Sequence, residues 1–345
     1  MRNFWNKKKV LITGHTGFKG SWLSLMLLNF GAKIYGISFK PKKKDLNFIN
    51  SNLNIKCKNY FFDICNFKRL NKTIEKIQPD IIFHLAAQPL VIEGYVNPKK
   101  TYDTNTMGTL NILETIKKNK IKTSIIVTTD KVYKNDDTKK SFNENNDLGG
   151  SDPYSSSKHL AELIVENYNT NYFKSMQLNV VTARAGNVIG GGDRGENRLI
   201  PDFFKASNKL IVRSPSSTRP WQFIIDPLDG YLKLAEFIHN KKLKDNHYNW
   251  NFAPNIQNPK DVKYIINILN KRFNKKIIYK SNKKILEKKY LNLNSQKAKK
   301  YLKWKCKYSV LESIKKIVDW EYNFKIKKIS LTNKQIKEYY KNLQK

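Results

Sequence analysis

Lys9-Val-Leu-Ile-Thr-Gly-His-Thr-Gly-Phe-Lys-Gly20 is an apolar run that breaks into three glycines with GxxGxxG spacing. Val10 to Thr13 reads as a strand, and Trp22 to Asn29 as the helix behind it. Each glycine between them has a physical task. Gly14 permits the tight strand-to-helix bend, Gly17 lets backbone amides approach a pyrophosphate, and Gly20 lets the helix pack on the sheet. The helix start then turns its positive dipole end toward the phosphates, with Phe18 and Lys19 among the residues that meet them.

Working outward, short apolar runs alternate with helical patterns through the first half of the chain. Lys33–Ser38, Asn59–Asp63, Asp80–Leu85, Ser124–Thr128 and Val180–Arg184 read as strands two to six. Helices are expected over about Thr101–Lys118 and from Pro153 to about Tyr172. The fold class is α/β, a Rossmann-type doubly wound parallel sheet with a smaller C-terminal substrate-binding lobe. The expected division is 1–186 plus about 225–255 for the dinucleotide domain, 187–224 and 256–330 for the lobe, and 331–345 as a polar helix or frayed tail.

Composition narrows the function classes. The 345 residues are 40% hydrophobic, and no apolar stretch approaches the ~20 residues of a membrane span. The first strand starts almost at the N-terminus, and Cys57, Cys65 and Cys306 show neither CxxC spacing nor a disulfide framework. The expectation is a cytoplasmic protein without metal or membrane. The net charge of +37 invites a nucleic-acid reading. The lysines are spread along the chain, however, and no nucleic-acid motif accompanies them. The balance favours small anionic ligands instead.

Asp63-Ile64, after the third strand, can hold an adenine through a carboxylate and a backbone amide. Leu85-Ala86-Ala87 closes the fourth strand with small residues suited to a close cofactor. One feature is missing. A dinucleotide site usually carries Asp or Glu about 20 residues beyond the glycines, accepting from the ribose 2′-hydroxyl. Here that strand ends Gly36-Ile-Ser-Phe-Lys40, and the first acid is Asp45. NAD is the expected cofactor, with NADP left open and a modest affinity implied.

YxxxK occurs four times, at Tyr95/Lys99, Tyr154/Lys158, Tyr279/Lys283 and Tyr301/Lys305. Context selects one. Pro98 interrupts the first, and the last two lie outside the βα region. Tyr154 and Lys158 open a helix after Asp152-Pro153, where i and i+4 share a face. An ammonium there favours the tyrosinate, which can take a proton from a sugar hydroxyl. The fifth strand delivers Thr128-Thr-Asp-Lys131 to the same sheet end. Thr129 can bond the substrate hydroxyl and Asp130 can act as an acid, although spacing alone also admits an N-cap with surface charges.

These segments carry a family resemblance. Gly14–Gly20, His84-Leu-Ala-Ala-Gln-Pro-Leu90, Thr129-Asp-Lys131, Asp152-Pro-Tyr-Ser-Ser-Ser-Lys158, Ala183–Asp193 and Arg219-Pro-Trp-Gln222 resemble the extended short-chain dehydrogenases/reductases, and within them the nucleotide-sugar 4,6-dehydratases. Lysine at position 131, where most such dehydratases have glutamate, is similar to the branch that acts on CDP-glucose. An epimerase would more typically show small residues where Asp130 stands.

The resemblance implies a redox-neutral dehydration. Tyr154 removes the O4 proton, hydride leaves C4, Asp130 protonates the departing C6 hydroxyl, and hydride returns to C6. Lys131 is either the C5 acid/base or an enolate stabiliser, and Lys158 also holds the nicotinamide ribose. For the substrate, the resemblance implies Gln88, Asn187 and above all Arg219. Arg198 and Arg213 are further candidates for the phosphates, which suit a planar guanidinium, and each reads equally as a surface charge. A homodimer through the helices near 101–118 and 153–172 is the family-based expectation.

Overall fold

A computed structural model describes residues 2–241, 248–254, 259–280 and 288–341. Seven strands share one sheet: β1 (Lys9–Thr13), β2 (Lys33–Ser38), β3 (Lys58–Phe61), β4 (Ile81–His84), β5 (Thr123–Val127), β6 (Asn179–Ala185) and β7 (Asn249–Phe252). Every pairing is parallel, in the order β7-β6-β5-β4-β1-β2-β3. The central strands β4, β5 and β6 are buried along their whole length, which is why they read as near-continuous apolar runs. The strand order reverses between β1 and β4. A crevice therefore opens at their carboxyl ends, where an open α/β sheet binds ligands.

Strands one to six fall where the sequence places them, within a residue or two. β7 was not read as a strand because four residues, Asn249-Trp-Asn-Phe252, are too few for their alternation to stand out. Buried Asn251 takes part in it by accepting from Tyr133 Oη at 2.7 Å and donating to Phe142 O at 3.0 Å. The helix behind β1 spans Phe18–Asn29 and so begins at the last glycines of the loop rather than at Trp22.

The helix expected over Thr101–Lys118 is broken. Pro98–Tyr102 leads into a π-helical turn, Asp103–Met107, before Gly108–Asn119 continues as α-helix. That turn has a purpose. It aims Asn105 so that its amide donates to Gln88 O and Ser157 Oγ and accepts from Gln88 N, tying the loop after β4 to the helix Pro153–Tyr168. Pro153–Tyr168 itself starts as expected, with Pro153 at its first position and Asp152 accepting from Ser155 N at 3.0 Å.

Beyond β6 lie short strand pairs, Lys209–Val212 with Lys276–Tyr279 and Thr218–Arg219 with Lys260–Asp261. The expected lobe boundary near 256 falls outside the described residues. The terminal segment is a docked helix, Thr332–Lys341, with Ile336 and Tyr339 buried. Tyr339 and Tyr340 donate to Asp226 Oδ1 and Asp229 Oδ1, each at 2.9 Å. Of the two expected alternatives the helix is found over 332–341; it has a polar side, but its apolar stripe completes the main core.

Candidate active site

The glycine loop has the shape of a dinucleotide cradle. Gly14 stands at φ +73°, and a Cβ there would meet Ala86 N at 2.8 Å. A Cβ on Gly20 would come within 2.2 Å of Gly14 O, so the helix can pack this close only as glycine. Thr13 Oγ1 accepts from the amides of Leu85 and Ala86, at 3.2 Å each, which pins the end of β4 beside the loop. Ala87 follows half-buried. Asp63 accepts from Cys65 N at 2.9 Å and keeps a partly open carboxylate, while buried Ile64 packs beneath Gly108. These residues fit a bound dinucleotide. The end of β2 offers no carboxylate, and Asp45 is turned away, accepting from Lys42 N at 2.7 Å.

Of the four YxxxK pairs, only Tyr154/Lys158 is buried at the crevice. Tyr95 and Lys99 are exposed, Tyr301 and Lys305 lie on the outer surface, and Lys283 is outside the described residues. Tyr154 is hydrogen-bonded to Thr129, and Thr129 Oγ1 donates to Asp130 Oδ1 at 3.0 Å. Asp130 is 3% exposed, and its Oδ2 has no hydrogen-bond partner among the described residues. Thr129 also caps the 3-10 turn that follows, accepting from Lys131 N at 3.4 Å, while Lys131 itself stays half-buried. Lys158 Nζ donates to Val127 O at 3.2 Å.

Burial pushes the Tyr154 phenol up to about 12; the Thr129 bond and the Arg198 charge pull it down, and Asp130 and Asp152 add to the rise. The ammoniums move the other way. Burial, then the mutual repulsion of Lys19 and Lys158, lowers Lys158 to about 8. Burial and Arg198 lower Lys19 to about 8, with Asp130 and Asp193 pulling it back up. Lys19, read from sequence as a cofactor contact, is thus also a neighbour of the acid.

The other candidates divide. Arg198 enters the cluster on an ion pair with Asp193 at 3.1 Å. Arg219 is buried, with Nη1 donating to Thr218 O at 2.8 Å, and the adjoining Pro220 lies against the Asp130 carboxylate across Gly186. Asn187 stands at φ +30° in the loop beside them. Arg213 faces Asp202 instead. The Gln88 amide donates to Leu90 O and Thr101 Oγ1 and accepts from Leu90 N, so in the free protein it shapes the loop after β4. Two residues went unseen in the sequence reading. Asp193 closes the resembling segment Ala183–Asp193 but was given no role there, and Glu162 was findable. It lies four residues beyond Lys158 on the same face and pairs with Arg184 at 2.8 Å.

Comparison with known proteins agrees with this geometry. A family model described as GDP-mannose 4,6 dehydratase matches residues 11–317. The chain belongs to the GDP-mannose 4,6-dehydratase family. A CDP-glucose 4,6-dehydratase of Salmonella typhimurium is 37% identical over 330 residues, 92% of each chain. Two solved structures share the fold of this family member. A dTDP-glucose 4,6-dehydratase from Bacillus anthracis in complex with NAD aligns with TM-score 0.77 and 23% identity, covering 93% of this chain and 98% of that one. A UDP-glucose 4-epimerase from Thermotoga maritima with UDP-glucose gives TM-score 0.78 and 22% identity over 91% and 99%.

Proposed function

We propose that this chain is an NAD-dependent nucleotide-sugar 4,6-dehydratase, a hydro-lyase, and that its substrate is CDP-glucose. The observation that carries the reading is Asp130: an acid shut away from solvent, bonded through Thr129 to Tyr154, with one carboxylate oxygen open. A 4-epimerase needs the tyrosine but no proton donor for a leaving hydroxyl, so the buried acid favours dehydration. The relative at 37% identity and Lys131 beside Asp130 support CDP-glucose over other nucleotide-hexoses.

The loop Gly14–Gly20, with Asp63, Ile64 and Leu85–Ala87, would hold the dinucleotide, and Lys158 its ribose. The chemistry that NAD would supply when bound there is storage of a hydride between its loss from C4 of the hexose and its return at C6. Tyr154 removes the O4 proton with Thr129 bonded to it. Because burial holds the phenol near 12 in the free protein, loss of its own proton is coupled to ligand binding. The 4-ketone acidifies C5–H, and Asp130 then gives its proton to the C6 oxygen so that water leaves. Lys131 serves as the C5 acid/base or stabilises the enolate. Arg198, Arg219 and Asn187 meet the nucleotide diphosphate.

The helices Gly108–Asn119 and Pro153–Tyr168 would form a homodimer seam. Leu160 and Leu163 are 37% and 43% exposed there, and Leu110, Ile164 and Tyr168 line the same shallow depression. The function is tested by product analysis with CDP-, UDP-, dTDP- and GDP-hexoses. The expected result is a 4-keto-6-deoxyhexose from CDP-glucose with no net NADH. A 4-epimer that keeps its 6-hydroxyl, or no product from CDP-glucose, would overturn it.

A further inference from the structure

The turn that carries Asp130 is short and weakly held by its own bonds. It spans Asp130–Val132, and its cap, Lys131 N donating to Thr129 Oγ1, is long at 3.4 Å. Where Asp130 stands is therefore set by what fixes the two ends of the turn. One end follows β5. The other is Tyr133, a buried ring stacked on Phe142 at 5.1 Å. The Tyr133 hydroxyl is the middle of a chain of bonds that joins four elements. It donates to Asn251 Oδ1 on β7 at 2.7 Å and accepts from Arg184 Nη1 on β6 at 2.8 Å. Arg184 turns its Nε and Nη2 to the Glu162 carboxylate, at 2.9 and 2.8 Å. Glu162 lies on the helix Pro153–Tyr168, one turn beyond Lys158 and two beyond Tyr154. Asn251 is fixed in its turn, with Nδ2 donating to Phe142 O and Asn294 O at 3.0 and 3.2 Å.

Phenylalanine at 133 would fill the same space with no polar atom to satisfy. A buried hydroxyl engaged by two separate strands adds what that ring could not, a fixed distance between elements. We propose that Tyr133 is a positioning residue for Asp130: through Arg184 and Glu162 it fixes the acid's turn against the helix that carries Tyr154, so that both groups meet one substrate together. The inference rests on the acid role proposed above for Asp130. Tyr133 gives up no proton in the reaction. The hydroxyl also acts beside a second tie, made by backbone alone. Gly149 N donates to Val132 O at 2.7 Å and Tyr133 pairs with Leu148, so the chain leaves the turn and returns beside it just before Pro153. These bonds survive removal of the hydroxyl, and Tyr133→Phe should fold.

Single turnover of the full-length chain with NAD⁺ and CDP-glucose tests this, because it separates oxidation at C4 from elimination at C6. In Tyr133→Phe the appearance of NADH should stay within about twofold of wild type while 6-deoxy product forms ~10- to 100-fold more slowly, the range that a misplaced reacting group costs. NADH absorbance should then build up before it is consumed. In an Asp130→Asn background the same substitution should slow the residual elimination no further, because the group it positions is gone.

A merely structural role gives another pattern, in which both steps fall by the same factor as the folded fraction. That pattern, or a wild-type elimination rate in Tyr133→Phe, alongside loss of elimination in Asp130→Asn, would overturn the inference and leave the acid assignment standing. A further loss of equal size in the Asp130→Asn background would overturn it as well. Unimpaired elimination in Asp130→Asn would overturn both. If Tyr133→Phe fails to fold, Arg184→Lys keeps a cation opposite Glu162 without the fork that also reaches Tyr133. It should show the same split between the two steps, and a uniform loss would again overturn the inference.

Discussion

Glu162 and Asp130 are both acids buried beside the same sheet, and the protein treats them in opposite ways. The Glu162 carboxylate is saturated. It accepts from Thr128 Oγ1, from Thr182 Oγ1 at 2.7 Å, and from Arg184 Nε and Nη2 at 2.9 and 2.8 Å. Burial alone would raise its pKa, but the guanidinium and these bonds hold it below the usual range. Among the described residues Asp130 accepts from Thr129 alone. A buried charge with every lone pair engaged is scaffold, fixing the helix of Tyr154 and Lys158 to β6. A buried carboxyl left half-bonded has capacity for a substrate.

The comparison can be broken most severely at the base the scaffold positions. Tyr154→Phe should lower turnover ~1000-fold, within the range that general acid–base groups contribute, and leave nucleotide-sugar binding intact. Steady-state kinetics beside a binding titration would check this, and a near-normal rate would remove Tyr154 from the mechanism.

Next in size is the saturated acid. Glu162→Gln leaves Arg184 buried without its counter-charge and should cost about 3–5 kcal/mol of stability, read by denaturant unfolding at pH 7. The sign of its pH dependence follows from the lowered pKa. The wild-type contribution is present above the ordinary carboxylate range and fades as pH falls through the folded value, so the deficit of the variant should shrink in acid. A deficit below 1 kcal/mol would mean that the pair does not fix the helix.

A third buried acid sharpens the contrast with a smaller effect of opposite sign. Asp226 accepts from Lys307 N and Tyr339 Oη, yet its Oδ2 has no partner among the described residues, and burial raises it to about 6. The native state then binds its proton more tightly than the unfolded chain, so stability is lost as pH rises from about 4 through about 6. Asp226→Asn keeps an acceptor for both donors and should gain on the order of 1–2 kcal/mol relative to wild type at pH 7, with the gap closing near pH 4. A loss of stability at pH 7 would show that the charge is held favourably.

The sequence made the same division visible in a different way. The glycine loop is local and built from backbone, so spacing alone located the turn, although the helix begins four residues earlier than read. Tyr154, Lys158 and Thr129 were legible because each sits at a strand end or a helix start. Chemistry assembled across elements was not. Nothing in the sequence told that Lys19 would face Asp130, that burial would raise the Tyr154 phenol, or that Gln88 would close on its own loop. The π turn at Asp103–Met107 escaped because buried Asn105 ties it to two other elements, and β7 because it is only four residues long.

The division between the closed and the open acid is tested most directly by one turnover of Asp130→Asn with CDP-glucose, followed by absorbance at the NADH band and by product analysis. The amide is close to isosteric but cannot deliver a proton, and general acid help is worth ~100-fold or more. The account predicts that NADH appears on the enzyme and persists, while 6-deoxy product forms at least ~100-fold more slowly than in wild type. Product at the wild-type rate, or no NADH at all, would contradict it.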